Sequence, residues 1–266
     1  MKSKMKKNLP KISIITPSYN QANYIEDTIL SVLSQDYPNL EYIIIDGGSD
    51  DGTLEILKKY DKKLKIISEK DSGQTNAINK GMKISTGDII SYLNSDDMYL
   101  PGTLKTVGCR FTNYHDVKWI TGRCRIIDNR GIAIRSIITT WKNLWLKKRL
   151  FGLDRYSVLL ILNYISQPAT FWRREILDKI GFFDETLDLS MDYDFWLRLM
   201  KNYFPYVIEE DLALFRIQKN SKSYKNYMGQ FDEGYRIVRK HTDSRILLFL
   251  HKLHDSIVVY TYKHLI

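Results

Sequence analysis

Two adjacent aspartates, Asp96 and Asp97, close the segment Asn94-Ser-Asp-Asp97 directly behind the apolar run Ile89-Ile-Ser-Tyr-Leu93. The run reads as a buried strand, which puts both carboxylates where a strand ends and a loop begins. Ligands of open α/β sheets bind at such carboxyl ends. Two hard oxygen ligands there suit Mg²⁺ or Mn²⁺ shared with a diphosphate. A solvated turn also explains two aspartates in a row, but less well at the end of so apolar a strand. A second acidic cluster follows about 95 residues on: Gly181-Phe-Phe-Asp-Glu185, then Met191-Asp-Tyr-Asp-Phe-Trp-Leu-Arg198. Asp192 and Asp194 sit at or near the start of a helix, where a carboxylate serves as a cap. A carboxylate there can equally act as a general base on a hydroxyl. Together, a metal-holding pair and a separate base suit displacement at a sugar carbon: the ion stabilises a leaving diphosphate, and the base activates the nucleophile.

These residues need a scaffold, and residues 12–100 supply one. Lys11-Ile-Ser-Ile-Ile-Thr16, Glu41-Tyr-Ile-Ile-Ile45, Lys65-Ile-Ile67 and Asp88 to Leu93 read as strands. Between them Asn23–Gln35, a stretch capped by Asp50 or Asp51 and running to about Tyr60, and Thr75–Ile84 have helical apolar spacing. The alternation predicts a Rossmann-like, mostly parallel sheet flanked by helices on both faces. Beyond Pro101, a hairpin turning at Asp128–Gly131 is expected, then a variable loop with a helix over 141–165 and a strand at Pro168–Trp172. Helices follow at 173–180, 189–203, 226–241 and 245–264. The division expected is one α/β domain over 1–215, with a nucleotide-binding half (10–100) and an acceptor-binding half (101–215), and a helical extension over 216–266.

Three more strand ends converge on the aspartates. Thr16-Pro-Ser-Tyr-Asn20 offers the Tyr19 ring for stacking on a nucleobase. Asp46-Gly-Gly-Ser-Asp-Asp51 offers a carboxylate and glycines that let a ligand approach the backbone. Ser72-Gly-Gln-Thr-Asn76 opens a helix whose free N–H groups suit an anion. Each alone reads as an ordinary turn; as a set they form a pocket for a nucleotide with a divalent ion.

In this order and spacing the chain resembles the family 2 glycosyltransferases of the GT-A fold. The matching stretches are Ile12–Asn20, Ile45–Thr53, Ala77–Gly81, Gly87–Asp97, and Gly181–Asp184 through Asp192–Arg198. The resemblance implies a nucleotide-diphosphate sugar donor, a UDP-sugar first of all, and inversion at the anomeric carbon in one in-line displacement. It assigns Thr16, Pro17, Tyr19, Asp46, Gln74 and Asp96 to the nucleotide, Asp97 to Mn²⁺ or Mg²⁺, and Asp192 to the base. Three positions depart from the family pattern. Gly47 stands where many relatives have a second aspartate, Ser95 opens the aspartate motif without an acid, and Met191 replaces an acid before the base. The last leaves Asp194 as a competitor for the base.

Composition narrows the rest. The chain has 266 residues, is 44% hydrophobic and carries a net charge of +9. It is long enough for a large packed domain and too apolar for disorder. No run of about 18 apolar residues spans a bilayer, and the basic start, with no apolar stretch behind it, is not a secretory signal. Cys109 and Cys124 match no metal or redox spacing and read as free thiols of a cytoplasmic protein. Residues 216–266 hold ten Lys/Arg against four Asp/Glu. That basic, partly apolar tail fits either packing on the domain or an anionic membrane surface at the inner face of the plasma membrane, with a saccharide or lipid-linked acceptor. His251 and His254 have helix-compatible spacing but no evident partner acid, so a metal site there is not expected. The basic residues form no nucleic-acid recognition element, and the first strand lacks the basic Gly-rich loop of a nucleotidyltransferase. An oligomer is left open.

Overall fold

In the computed structural model, residues 9–134, 137–146, 153–218, 221 and 225–265 are described. Strand β1 (Ile12–Ser18) is buried along its whole length, the pattern of a strand covered on both faces. It pairs in parallel with β2 (Leu40–Asp46) and β4 (Ile89–Tyr92), and β2 pairs in parallel with β3 (Lys65–Ser68). The register sets Ser18 beside Asp46 and Asp46 beside Ser68, so three strands end at one level. Helices α1 (Ile25–Leu33), α2 (Thr53–Lys58) and α3 (Gln74–Ile84) make the crossovers. This is the expected βαβαβαβ half, with ends shifted by one or two residues.

The second half extends the same sheet. After the two-residue strand β5 (Met98–Tyr99) and α4 (Thr103–Asn113) come β6 (Trp119–Ile127), β7 (Ala133–Ile134), β8 (Thr170–Arg173) and β9 (Tyr206–Arg216). The strand order is β3-β2-β1-β4-β8-β6-β9-β5, with β7 on β6 as the predicted hairpin. β8 is antiparallel to both its neighbours, whereas β9 is parallel to β6 and antiparallel to β5. The sheet is therefore mostly parallel in its first half and mixed in its second.

Alternation along β1 divides the core. Ile12 and Ile14 join α1, α2 and α4 on one face. Ile15 faces the other, with α3, α6 (Arg155–Ile161) and α8 (Met191–Asn202). Trp119, Trp172, Phe183, Phe195 and Trp196 interlock there with ring centroids 4.4–6.2 Å apart. Between α6 and α8, the short α7 (Leu177–Ile180) ends at Gly181.

Three features go beyond the expected elements. Residues 206–216 form an eleven-residue strand that the sequence reading passed over, because Glu209-Glu-Asp211 interrupts its apolar run. The expected helix within 141–165 is present twice over in the described residues of that stretch. Helix α5 (Ile137–Trp145) precedes α6, which buries Val158 to Ile161 and is capped by the Asp154 carboxylate. Finally, the two C-terminal helices, α9 (Tyr227–His241) and α10 (Arg245–Leu265), are integral to the core. Ile237 and Val238 are fully buried in it, and His251 Nδ1 meets the Leu160 carbonyl at 2.8 Å.

Candidate active site

The β4 strand delivers the aspartate pair into a hydrogen-bonded loop. Asp97 is fully buried. Its Oδ1 accepts the backbone N–H of Arg216 at 2.9 Å, its Oδ2 accepts Asn94 Nδ2 at 3.2 Å, and its carbonyl accepts Thr28 Oγ1 at 2.8 Å. Burial, then the adjacent Asp96 charge, pushes the Asp97 carboxyl well above its usual value. Asp96 is also raised by burial, and its Oδ2 accepts Gln218 Nε2 at 2.8 Å. Asn94 Oδ1 accepts Gln74 Nε2 at 2.7 Å, and Asn94 Nδ2 reaches Gln167 Oε1 at 3.3 Å, so the first turn of α3 is tied to the aspartate loop.

Arg216 and Gln218, at and just past the end of β9, were not visible as site residues in the sequence. Arg216 is only 2% exposed. Its guanidinium donates to the Asp96 carbonyl at 3.0 Å, to the Asn129 carbonyl at 3.1 Å and to Asp27 Oδ2 at 2.9 Å, and lies 5.0 Å from the Tyr24 ring centre. It thus joins α1, the aspartate loop and the β6–β7 turn.

The residues expected on the nucleotide fall into two kinds. Tyr19 is 61% exposed and free to stack. Thr16 and Pro17 are buried, and Thr16 Oγ1 lies 3.2 Å from Tyr42 Oη, inside the fold rather than in a cleft. Asp46 is buried and spends its carboxylate on its own turn. It accepts from Gly48 N, Ser49 N, Ser49 Oγ and Ser68 Oγ at 2.5–3.0 Å. Gly47 has a local reason: a Cβ there would stand 3.1 Å from Asp71 Oδ2, so a second aspartate would point at a like charge.

Asp192 is the second residue of α8. Burial raises its carboxyl, against the pull of Lys142 on α5 and of its contacts with the Tyr193 N–H and Trp196. Asp194, its competitor, is committed elsewhere. Its Oδ2 pairs with Arg198 Nε at 2.7 Å and its Oδ1 with His241 Nε2 at 3.1 Å. Burial opposes its ionisation, but these partners prevail and hold it below the ordinary value. The buried Tyr92 phenol is raised by burial and, less, by the charges of Asp192 and Asp97. The histidines expected to lack partner acids have them: His251 and His254 lie 3.1 and 3.3 Å from Asp255.

The sequence comparison decides the family. The profile described as Glycosyl transferase family 2 matches residues 13–181, more than half of the chain. The chain belongs to glycosyltransferase family 2. Similar curated proteins include an uncharacterized glycosyltransferase of Rickettsia typhi, RT0329, 30% identical over 86% of this chain and 71% of its own length. One of Rickettsia felis is 30% identical over 82% of this chain but only 36% of its own length. The chain thus spans from about a third to about 70% of these relatives. The putative teichuronic acid biosynthesis glycosyltransferase TuaG of Bacillus subtilis is 44% identical over 94 residues, 34% of this chain and 37% of its own length. Among solved structures, S. aureus TarS 1-349 in complex with UDP-GlcNAc superposes with a TM-score of 0.64 at 21% identity, covering 88% of this chain and 68% of that one. The mannosyltransferase PcManGT of Pyrobaculum calidifontis, in complex with GDP-Man and Mn²⁺, gives 0.67 at 17% identity, over 94% and 70%. At these identities the likeness speaks for the fold alone, and the fold is the GT-A arrangement of the family.

The family 2 aspartate motif fits a divalent ion shared with its ligand better than a closed protein cage. Among the described residues no group of three His, Cys, Asp or Glu surrounds one point. Asp97 is a buried carboxylate beside a like charge; Arg216 gives it a backbone N–H while its guanidinium serves Asp27. The Arg216 charge lowers both carboxyls but does not outweigh their burial, and Mg²⁺ or Mn²⁺ bound by one or two carboxylates plus diphosphate oxygens would add positive charge there.

Proposed function

We propose that the chain is an inverting glycosyltransferase that moves a sugar from a nucleotide-diphosphate sugar, a UDP-sugar in the first instance, to an acceptor hydroxyl. The observation that carries this reading is the buried Asp96–Asp97 loop at the end of β4, with Asp192 in the first turn of α8 and Asp194 withdrawn into its pair with Arg198 and His241. Asp97, helped by Asp96, would hold Mn²⁺ or Mg²⁺, whose contribution when bound is to neutralise the departing diphosphate. Tyr19 stacks on the base, and the Pro17 and Asp46 turns shape the walls of the nucleotide cleft. Gln74 holds Asn94 in place beside Asp97. Asp192 takes the proton from the acceptor hydroxyl as that oxygen attacks the anomeric carbon, and no covalent intermediate on the chain is needed.

The acceptor is a saccharide or lipid-linked saccharide of a surface polysaccharide or glycolipid, a role supported by the partial likeness to TuaG. Helix α10 supports attachment to an anionic membrane. Ile246, Phe249, Leu253, Ile257 and Tyr260 are 47–73% exposed and recur at helical spacing along it, with Arg245 and Lys252 beside them. Among the described residues no helix is long and apolar enough to cross a bilayer, so such contact would lie in the interface.

The test is thermal stabilisation by a panel of nucleoside diphosphates and nucleotide-sugars, each with and without Mn²⁺. A ligand present at 100 times its Kd adds about 2.7 kcal/mol to the folded state. Stabilisation by one nucleotide that needs both Mn²⁺ and Asp97, together with loss of transfer in Asp192→Asn, is expected. Stabilisation that survives Asp97→Ala would move the ion elsewhere, and normal transfer by Asp192→Asn would remove it as base.

A further inference from the structure

Helix α8, which carries Asp192, does not cap itself. Its N-cap residue Ser190 makes no side-chain bond to the helix; its hydroxyl donates to the Gln230 carbonyl of α9 at 3.2 Å instead. The backbone N–H groups leading into the helix converge on a side chain some 45 residues away. Glu233 of α9, only 5% exposed, accepts Asp188 N at 3.1 Å on Oε2, and Leu189 N at 2.9 Å and Ser190 N at 2.6 Å on Oε1. Eight residues on, and about 12 Å further along α9, His241 grips Asp194. On the opposite side α3 holds the same loop: Asn79 exchanges hydrogen bonds with the Phe183 backbone, and Thr75 Oγ1 donates to the Leu187 carbonyl.

We infer that Glu233 is the positioning residue for the base: its carboxylate gathers the three N–H groups before α8 and so fixes where that helix begins and where Asp192 stands. The inference rests on the proposed role of Asp192. A carboxylate is suited to the task in three ways. It has acceptor capacity on both oxygens. Its charge strengthens bonds from backbone N–H groups. And it sits at the end of a helix where negative charge is favoured. An amide in its place keeps one good acceptor but turns an NH₂ group toward the Asp188 N–H. Because catalysis falls steeply when a reacting group is displaced by even 1 Å, loosening this anchorage should cost rate rather than donor binding.

The experiment compares Glu233→Ala and Glu233→Gln with Asp192→Asn, the Glu233→Ala/Asp192→Asn pair, and Ile237→Ala as a buried control on the same helix. Each is measured for kcat, donor KM, Mn²⁺-dependent nucleotide binding and melting temperature. Expected for Glu233→Ala is a fall in kcat of tenfold or more, with donor KM and nucleotide binding within twofold of wild type. Glu233→Gln should lie between the two. The double variant should be no slower than Asp192→Asn alone, because the first change acts through the second residue. Equal kcat losses in Glu233→Ala and in Ile237→Ala at matched melting temperature would overturn the inference, as would a parallel loss of nucleotide binding. An inactive Asp192→Asn beside a normal Glu233→Ala would sink this inference alone. A fully active Asp192→Asn would sink the base assignment on which it rests.

Discussion

The backbone N–H of Arg216 donates to Asp97 Oδ1 at 2.9 Å across 119 residues of sequence. The side chain of the same arginine holds the Asp96 carbonyl, the Asn129 carbonyl and Asp27. One residue of the last strand therefore braces the aspartate loop from behind, and its fork-shaped donor set cannot be copied by a lysine. Arg216→Lys is expected to cost about 1–3 kcal/mol of stability, since buried carbonyls lose their donors. It should also weaken Mn²⁺-dependent nucleotide binding by tenfold or more. Denaturant titration and nucleotide titration check the two effects. Unchanged nucleotide affinity in a destabilised Arg216→Lys would confine Arg216 to the fold.

Lys142 offers a test of the base through pH. Burial raises the Asp192 carboxyl and Lys142 restrains it; burial in turn lowers the Lys142 ammonium while Asp192 supports it. A base works ionised, so activity should fall on acidification along a limb lying above the ordinary Asp value of about 3.9. Lys142→Met removes the restraint, and the acid limb of kcat/KM for the acceptor should move to higher pH. A limb that stays put or moves down would separate Lys142 from the base.

The clamp on Asp194 predicts an acid-sensitive stability. Its carboxyl is raised by burial but held lower overall by His241 and Arg198. Its folded value thus lies below its unfolded one, so its contribution is present above about pH 4 and is lost as pH falls through the folded value. Asp194→Asn should be less stable than wild type by about 2–4 kcal/mol at neutral pH, because Arg198 loses its ionic partner and His241 the carboxylate it meets. The gap should close as pH drops below about 4. Melts of both proteins from pH 7 downward measure it, and a gap that does not narrow would contradict the assignment.

Phe249 and Ile257 stand at 65% and 59% exposure on the free face of α10. Phe249→Asp/Ile257→Asp should abolish co-sedimentation with vesicles containing anionic lipid while leaving transfer to a soluble acceptor intact. Binding to neutral vesicles as strong as to anionic ones would remove the electrostatic part of the reading. A change from dimer to monomer in the variant would assign the stripe to a second copy of the chain.

The sequence carried the first half of this fold clearly, because each element there has a short-range signature: four apolar strands, three helical spacings and a polar turn after each strand. Asp96 and Asp97 stood out for the same reason. The choice between Asp192 and Asp194 was only half legible. The four-residue spacing of Asp194 and Arg198 announces a helical ion pair, but His241 completes it from 47 residues away. Arg216, Gln218 and Glu233 gave no local sign at all. They act through long-range bonds, from a strand whose acidic middle hides its period and from a helix that the sequence alone places in a C-terminal extension. Asp46 carries a second task that the sequence alone does not show: its carboxylate accepts from Gly48, Ser49 and Ser68 and so orders the turn after β2.

The dependence of Asp97 on Arg216 also bears on how the protein is made. A ribosome adds roughly 5–20 residues per second, and domains fold as their sequence emerges. A nascent chain that has released residues 9–200 contains the sequence of β1 to β4 and α1 to α3, yet neither β9 nor the arginine that braces the aspartates. The brace arrives from β9, and the anchor of α8 from α9 later still. The growing polypeptide therefore carries the aspartate loop without its brace until β9 has been made, and α8 without its anchor until α9 has.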